Sequence, residues 1–237
     1  LQSFYDLIAP FYRKIFAVSG AKIQFLEKYI PPAGRVLDLA CGAGELAERL
    51  SNRGYELTAL DNNEYLLRQI HSDKGIKEVC GDFKRIESYN LGVFDAVIFI
   101  GNSISYAGDE DDIFDLLKKI RELTAPDGYL IIQTINYYKL TFSGEFNLPE
   151  KSISTPKGSI IFKRKYIYRP PKEVLFNTEI ILNGRRYSHR EKFTLFDSVL
   201  QKILLKASGF KRVQLFGDFK GDAFNPQSPA IITLSSR

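Results

Sequence analysis

Between positions 36 and 47 the chain reads Val-Leu-Asp-Leu-Ala-Cys-Gly-Ala-Gly-Glu-Leu-Ala. An apolar run passes through two closely spaced glycines and straight into a segment with Leu46, Ala47 and Leu50 on one helical face. A strand, a glycine turn and a helix in immediate succession restrict the chain to few architectures. Glycines at such a junction let the backbone approach a ligand, and the helix start offers unpaired N–H groups to it. The stretch also satisfies Gly-x-Gly-x-x-Ala, a dinucleotide fingerprint of low specificity when it stands alone.

The alternation continues on both sides. Residues 35–39, 56–60, 77–80, 94–100 and 129–134 read as strands. Helices are expected after Gly44, through Tyr65, Leu66 and Ile70, and over 111–123, where Ile113, Leu116, Leu117, Ile120 and Leu123 form one stripe. The turn Ala125-Pro126-Asp127-Gly128 ends that helix. Residues 4–30 read as two helices interrupted by Pro10 and closed by Pro31-Pro32. Such alternation predicts a parallel sheet with helices on both faces. After Ile135 three period-2 segments follow, over 159–169, 173–182 and 186–195, the last two joined by the hairpin signal Asn183-Gly184. Thr194, with Asp197 three residues on, is then read as capping a helix that turns Val199, Leu200, Ile203 and Leu204 inward and stops at Gly209. Strands at 211–216 and 230–234 finish the chain. The expected division is 1–136 for N-terminal helices and core, 137–196 for an inserted antiparallel cap, and 197–237 for the completion of the core.

Composition narrows the class. Hydrophobic residues make up 44% and charged residues 26% of 237, ordinary for a globular chain. No apolar run approaches the roughly 18 residues of a membrane span. Two cysteines, Cys41 and Cys80, form no disulfide framework, and nothing resembles a signal peptide. A cytoplasmic monomer or homodimer is the resulting expectation. The net charge of +5 is unevenly spread: residues 137–196 hold 12 Lys/Arg against 5 Asp/Glu, leaving the remainder at minus two.

Acidic residues close three successive strands. Asp38 lies four residues before Gly42, where a carboxylate would repel a pyrophosphate but suits an ammonium group. Asp61 ends the second strand, at a spacing that suits both hydroxyls of a ribose. Asp82, in Gly81-Asp82-Phe83, follows the third, where an adenine amino group could donate to it. Together they describe a pocket for an amino acid joined to adenosine. These residues, with Leu60-Asp61, Phe94-Asp95-Ala96-Val97 and Pro126-Asp127-Gly128-Tyr129-Leu130, resemble the motifs of class I S-adenosylmethionine-dependent methyltransferases. The resemblance covers about residues 34–134, and the tail fits the same family. It implies an α/β, Rossmann-like seven-stranded sheet whose last strand is antiparallel, here with an inserted antiparallel β cap, and S-adenosylmethionine as cofactor. It further implies that Asp38, Ala40, Gly42 and Gly44 hold the methionine end, Asp61 the ribose, and Asp82 with Phe83 the adenine. Ile100 and the residues to Ser103 would line the transfer channel. Ala40 stands where the family more often has Gly, and Asn62 where an apolar residue commonly packs on adenine.

The opening residues 4–12 resemble the lid of small-molecule members, which adds Tyr12 to the cofactor side and Tyr5 to the substrate side. Asn102, Tyr106, Tyr137 and Arg190 are further candidate substrate contacts, and His189 is the candidate general base. Cys41 and Cys80 show no metal spacing, so no metal is expected. The activity implied is methyl transfer to nitrogen or oxygen of a small, polar or anionic molecule. Three alternatives stand beside it. Lys163-Arg164-Lys165 and Arg185-Arg186 could meet RNA phosphates, although no RNA-binding module is present. An NAD-dependent oxidoreductase would need a hydride site that the sequence does not show. A non-catalytic cofactor-binding protein would need none.

Overall fold

The computed structural model describes residues 4–71, 75–155 and 158–237. Five parallel strands are built as the apolar runs require: β1 (Arg35–Leu39), β2 (Glu56–Asp61), β3 (Lys77–Cys80), β4 (Phe94–Phe99) and β5 (Thr124–Ile135). With β10 (Val213–Phe216) and β11 (Ala230–Ser236) they form one sheet in the order β10-β11-β5-β4-β1-β2-β3. Strand β11 runs antiparallel to both neighbours. Leu37, Leu39, Val97, Phe99, Leu130 and Ile132 face one layer of the core, and Val36, Ala96, Ile98 and Ile131 face the other. Burial on both faces explains why these strands are continuously apolar.

Helix α6 (Glu110–Leu123) is begun by a capping box: Asp109 accepts from the backbone of Asp112, whose side chain accepts from the Asp109 N–H. The acidic run at 110–112 is thus the first turn of a helix. Near the N-terminus, α1 (Phe4–Ile8) and α2 (Tyr12–Ile15) are separated by a single 3-10 turn holding Pro10, and α3 (Gly20–Glu27) is capped by Ser19. Helix α4 (Glu45–Ser51) follows the glycine turn, and α5 is only Glu64–Leu67.

The structure departs from the sequence reading in five places. Residues 4–30 hold three α-helices and a 3-10 turn, not two helices, because the chain breaks again after Ile15. The turn at 125–128 is looped out within β5: Thr124 pairs with Phe94, and pairing resumes at Ala96 and Tyr129. The cap has four strands, not three, in the order β6-β7-β8-β9: β6 (Glu145–Thr155), β7 (Gly158–Arg169), β8 (Glu173–Leu182) and β9 (Arg185–Thr194). A short helix α7 (Tyr137–Ser143) precedes them. Strand β6 escapes a period-2 search because its register shifts between Leu148 and Lys151, across Pro149 and Glu150. Thr194 belongs to β9, and Asp197 itself caps α8 (Ser198–Ala207) by accepting from Val199 and Leu200. That start sets the helix phase, so Val199 and Ile203 are 62% and 56% exposed.

The buried positions of α8 are Gln201 and Leu205. The Gln201 amide donates to Thr134 Oγ1 and the Phe196 carbonyl, both at 2.9 Å, and accepts from Thr233. One polar side chain therefore ties α8 to β5 and β11. Removing it leaves buried polar groups unpaired, at about 1–3 kcal/mol for each. Gln201→Ala should lower the unfolding free energy in urea by about 3 kcal/mol, whereas Val199→Ala should change it by less than about 0.5 kcal/mol.

Candidate active site

Strand β1 pairs with β2 on one side and β4 on the other, so the sheet order reverses there and its C-terminal ends open a crevice. A cavity of about 400 Å³ occupies it. The strand ends give one wall, with Asp38 in β1, Ala40 just after it and Ile100 to Ser103 after β4. Helices α1 and α2 give a second, with Tyr5, Tyr12 and Phe16. The inner face of the cap gives a third. Ile8, Phe11 and Ile15 pack on Ile160, Phe162 and Ile180, which wedges the N-terminal helices between core and cap. Arg13 holds them to the core through both oxygens of Glu48, at 2.7 and 2.6 Å, and through the Ala43 carbonyl at 2.8 Å.

The glycine turn is tight because something sits on it. Gly42 has φ +59°, and a Cβ there would stand 2.4 Å from the Tyr12 hydroxyl oxygen. Ala40 adopts φ +54° with its Cβ in place, a conformation that costs an L residue about 1–2 kcal/mol. This is the physical reason why glycine is the commoner choice at that position. The Asp38 side chain is buried, and its Oδ2 has no hydrogen-bond partner. Burial pushes its carboxyl up to about 7, against the pull of Lys22 and with the push of Asp61. An unpaired buried carboxylate oxygen is costly unless a cation or donor arrives to meet it.

Tyr12, Asp38, Ala40, Ile100, Tyr5, Asn102 and Tyr106 all line this one cavity. Tyr5 and Tyr106 share a 2.9 Å hydroxyl–hydroxyl hydrogen bond, and burial raises both above the usual phenol range. Tyr137 lies one layer behind: it is fully buried, its hydroxyl 2.7 Å from Ser105 and 3.4 Å from Asn102 Oδ1, so it positions Asn102. Gly42, Gly44, Asp61, Asn62, Asp82 and Phe83 lie outside the cavity lining. Asp61 accepts the N–H groups of Gly42 at 2.8 Å and Asn63 at 2.9 Å, while the Asn63 amide donates to Asp6 of α1. Asn62 is exposed. Asp82 accepts from the Lys84 N–H, and the Phe83 ring meets Phe99 edge-on.

His189 and Arg190 are also outside the lining. His189 Nε2 is 2.7 Å from Glu191 and its ring stacks on Phe4. Arg190 donates to Asn177 at 2.9 Å, and alternation along β9 puts it on the opposite face of the cap from His189. Sequence reasoning missed Lys151 and Arg164, which do line the cavity. Arg164 stood inside a basic tripeptide, and strand alternation turns it inward between two outward lysines. Those lysines are neutralised locally: Lys163 lies 3.6 Å from both Glu150 and Glu179, and Lys165 lies 2.7 Å from Glu145. Arg186 is 3.2 Å from Glu179. The basic stripe suggested for RNA is thus largely spent on ion pairs within the cap.

Residues 36–128 match the family model described as a methyltransferase domain. Over 222 residues the chain is 30% identical to the glycine/sarcosine N-methyltransferase of Aphanothece halophytica, covering 86% of this chain and 77% of that one. The chain belongs to the class I S-adenosylmethionine-dependent methyltransferase family. It is also 31% identical over 121 residues to the putative methyltransferase YqeM of Bacillus subtilis, and the match spans about half (49%) of that protein's length. The CcbJ methyltransferase of Streptomyces caelestis shares the fold at a TM-score of 0.79 and 17% identity, over 99% of this chain and 98% of that one. For this methyltransferase fold the residues fit the methionyl half of the cofactor, because the orphaned Asp38 oxygen calls for an ammonium. Asp61, which the resemblance assigns to the ribose, accepts the N–H of Gly42, the residue that Tyr12 covers.

A carboxyl raised by burial has a consequence for stability. The folded chain keeps Asp38 protonated up to about pH 7, whereas an unfolded chain releases that proton near about 3.9. The folded state therefore binds more protons across that window, and stability falls as pH rises through it. In the absence of ligand, Asp38→Asn should melt higher than wild type at about pH 8 and nearly alike at about pH 4. A wild type equally stable relative to the variant at both pH values would exclude a desolvated Asp38.

Proposed function

We propose that this protein is a methyltransferase that uses S-adenosylmethionine to methylate a nitrogen atom of a small polar molecule. The observation that carries this is the unpaired Asp38 carboxylate at the end of β1, opening on a cavity walled by residues 100–103. When bound, the cofactor supplies a methyl group already activated on a sulfonium. Asp38 would accept its ammonium, Ala40 and Gly42 would let the backbone approach, and Asp61 would receive the ribose hydroxyls. Asp82 and Phe83 would meet the adenine. Residues 137–196 would serve as the substrate-binding cap over a core of 1–136 and 197–237.

Nitrogen is favoured over oxygen by the chemistry of the walls. Transfer from an activated donor depends mainly on in-line positioning and exclusion of water. An amine needs only to lose a proton before it reacts, while an alcohol wants a general base. Among the described residues lining the cavity there is no histidine, and burial raises the Tyr5, Tyr106 and Tyr166 hydroxyls away from ionisation. The relative named for glycine and sarcosine N-methylation supports the same choice. Tyr5, Asn102 and Tyr106 would contact the acceptor.

A screen of amines and alcohols with methyl-labelled cofactor tests this. Label should enter amines, and Asp61→Ala should abolish both transfer and S-adenosylhomocysteine binding. His189→Ala should keep kcat within about threefold, because a true general base contributes about 10²–10⁴-fold. Transfer confined to alcohols, with a hundredfold loss in His189→Ala, would overturn the nitrogen reading.

A further inference from the structure

The cap wall carries two cations that the methyl-transfer reading does not use. Arg164 sits on β7 opposite Leu148 of β6 and Thr178 of β8, all three lining the cavity. Its guanidinium lies 5.0 Å from the Phe162 ring centroid and 5.8 Å from that of Phe16. Its Nε is buried with no hydrogen-bond partner, and Nη2 reaches only the Pro149 carbonyl, at 3.5 Å. The second cation is Lys151. The register shift at Pro149–Glu150 makes Leu148 and Lys151, three residues apart, face the cavity together. Its ammonium donates to the Ile15 carbonyl of α2.

Among the described residues neither cation forms an ion pair with an acid, whereas Lys163, Lys165, Arg169, Lys172, Arg186 and Lys192 of the cap each do. Of the acids on the cavity wall, Glu45 accepts from the Val18 N–H and lies 3.6 Å from Arg49, and Asp38, on the strand-end wall, feels the charge of Lys22. The two cations also repel one another, and this adds to burial in lowering the Lys151 pKa. Two like charges desolvated on one wall, one with an open N–H edge, form a socket lacking its anion. A guanidinium packed beside two aromatic rings still presents its donors in its own plane, which matches the two oxygens of a carboxylate or phosphate.

We propose that Arg164 and Lys151 form an oxyanion subsite, so that the methyl acceptor is an amine bearing a carboxylate or phosphate. This rests on the N-methyltransferase reading and adds the second functional group of its substrate. Arg164 supplies the planar fork and Lys151 the point charge. The bulge in β6 is the device that brings the lysine into the cavity.

The test is equilibrium binding of glycine, O-phosphoethanolamine and ethanolamine to the full chain saturated with S-adenosylhomocysteine, for wild type, Arg164→Gln and Lys151→Met. At least one of the two anionic amines should bind wild type at least tenfold more tightly than ethanolamine. Preference for glycine identifies a carboxylate, and preference for O-phosphoethanolamine a phosphate. Either variant should lose that preference while its S-adenosylhomocysteine affinity stays within twofold of wild type. Ethanolamine binding as tightly as both anionic amines, no binding of either anionic amine, or full preference retained in both variants would overturn the subsite. Failure of wild type to bind S-adenosylhomocysteine would instead overturn the cofactor reading.

Discussion

A carboxylate buried without a donor at the end of β1 organises the rest of this structure. Asp38 is placed there by the strand itself, because neighbouring Leu37 and Leu39 must fill the core on the opposite face. The glycine turn that follows, with Gly42 and Gly44 both at positive φ, lets the chain leave the strand and start α4 within a few residues. Unpaired, the carboxyl is a standing cost to the folded chain. Met by an ammonium, it becomes a strong anchor, since the low-dielectric surroundings that raise its pKa also strengthen the resulting ion pair. Binding and stability are thus linked through one side chain.

The three walls around that carboxyl are held in different ways. The strand ends belong to a sheet whose central strands are buried on both faces. Helices α1 and α2 are short, and they are secured by side chains: Arg13 to Glu48, Asp6 to Asn63, and Tyr12 on Gly42. The cap contributes a four-stranded sheet that pairs Lys163, Lys165 and Arg186 with its own acids and turns two unpaired cations, Arg164 and Lys151, to the cavity. Cofactor and acceptor would therefore be recognised by separate parts of the chain, meeting along residues 100–103.

Much of the core was legible in the sequence because its signals are local. The strand, the glycine turn and the acid at each strand end are each contained in a few residues, and the spacing from Gly42 to Asp61 follows from one strand–helix–strand unit. The cap was legible only in part. Asn183-Gly184 announces a hairpin, but Pro149 breaks the alternation of β6, which hid both that strand and the inward turn of Lys151. Arg164 carried no distinguishing signal within Lys163-Arg164-Lys165, since its direction depends on strand register, a tertiary property. The phase of α8 was misread because Val199 and Ile203 look like core positions, while Gln201, a polar residue, is the one anchored inside. His189 looked chemical for want of another histidine nearby; its partners, Glu191 and Phe4, come from its own strand and from α1.

In the proposed function Asp38 would receive the cofactor's ammonium and would have to ionise to do so. Titration of S-adenosylhomocysteine affinity against pH tests it most directly, with wild type and Asp38→Asn side by side. For wild type, affinity should strengthen as pH rises and level off above about 7, where the carboxyl has lost its proton. The variant should bind weakly and show no such dependence. Wild-type affinity that is flat across this range, or an Asp38→Asn chain that binds as tightly as wild type, would contradict this role for Asp38.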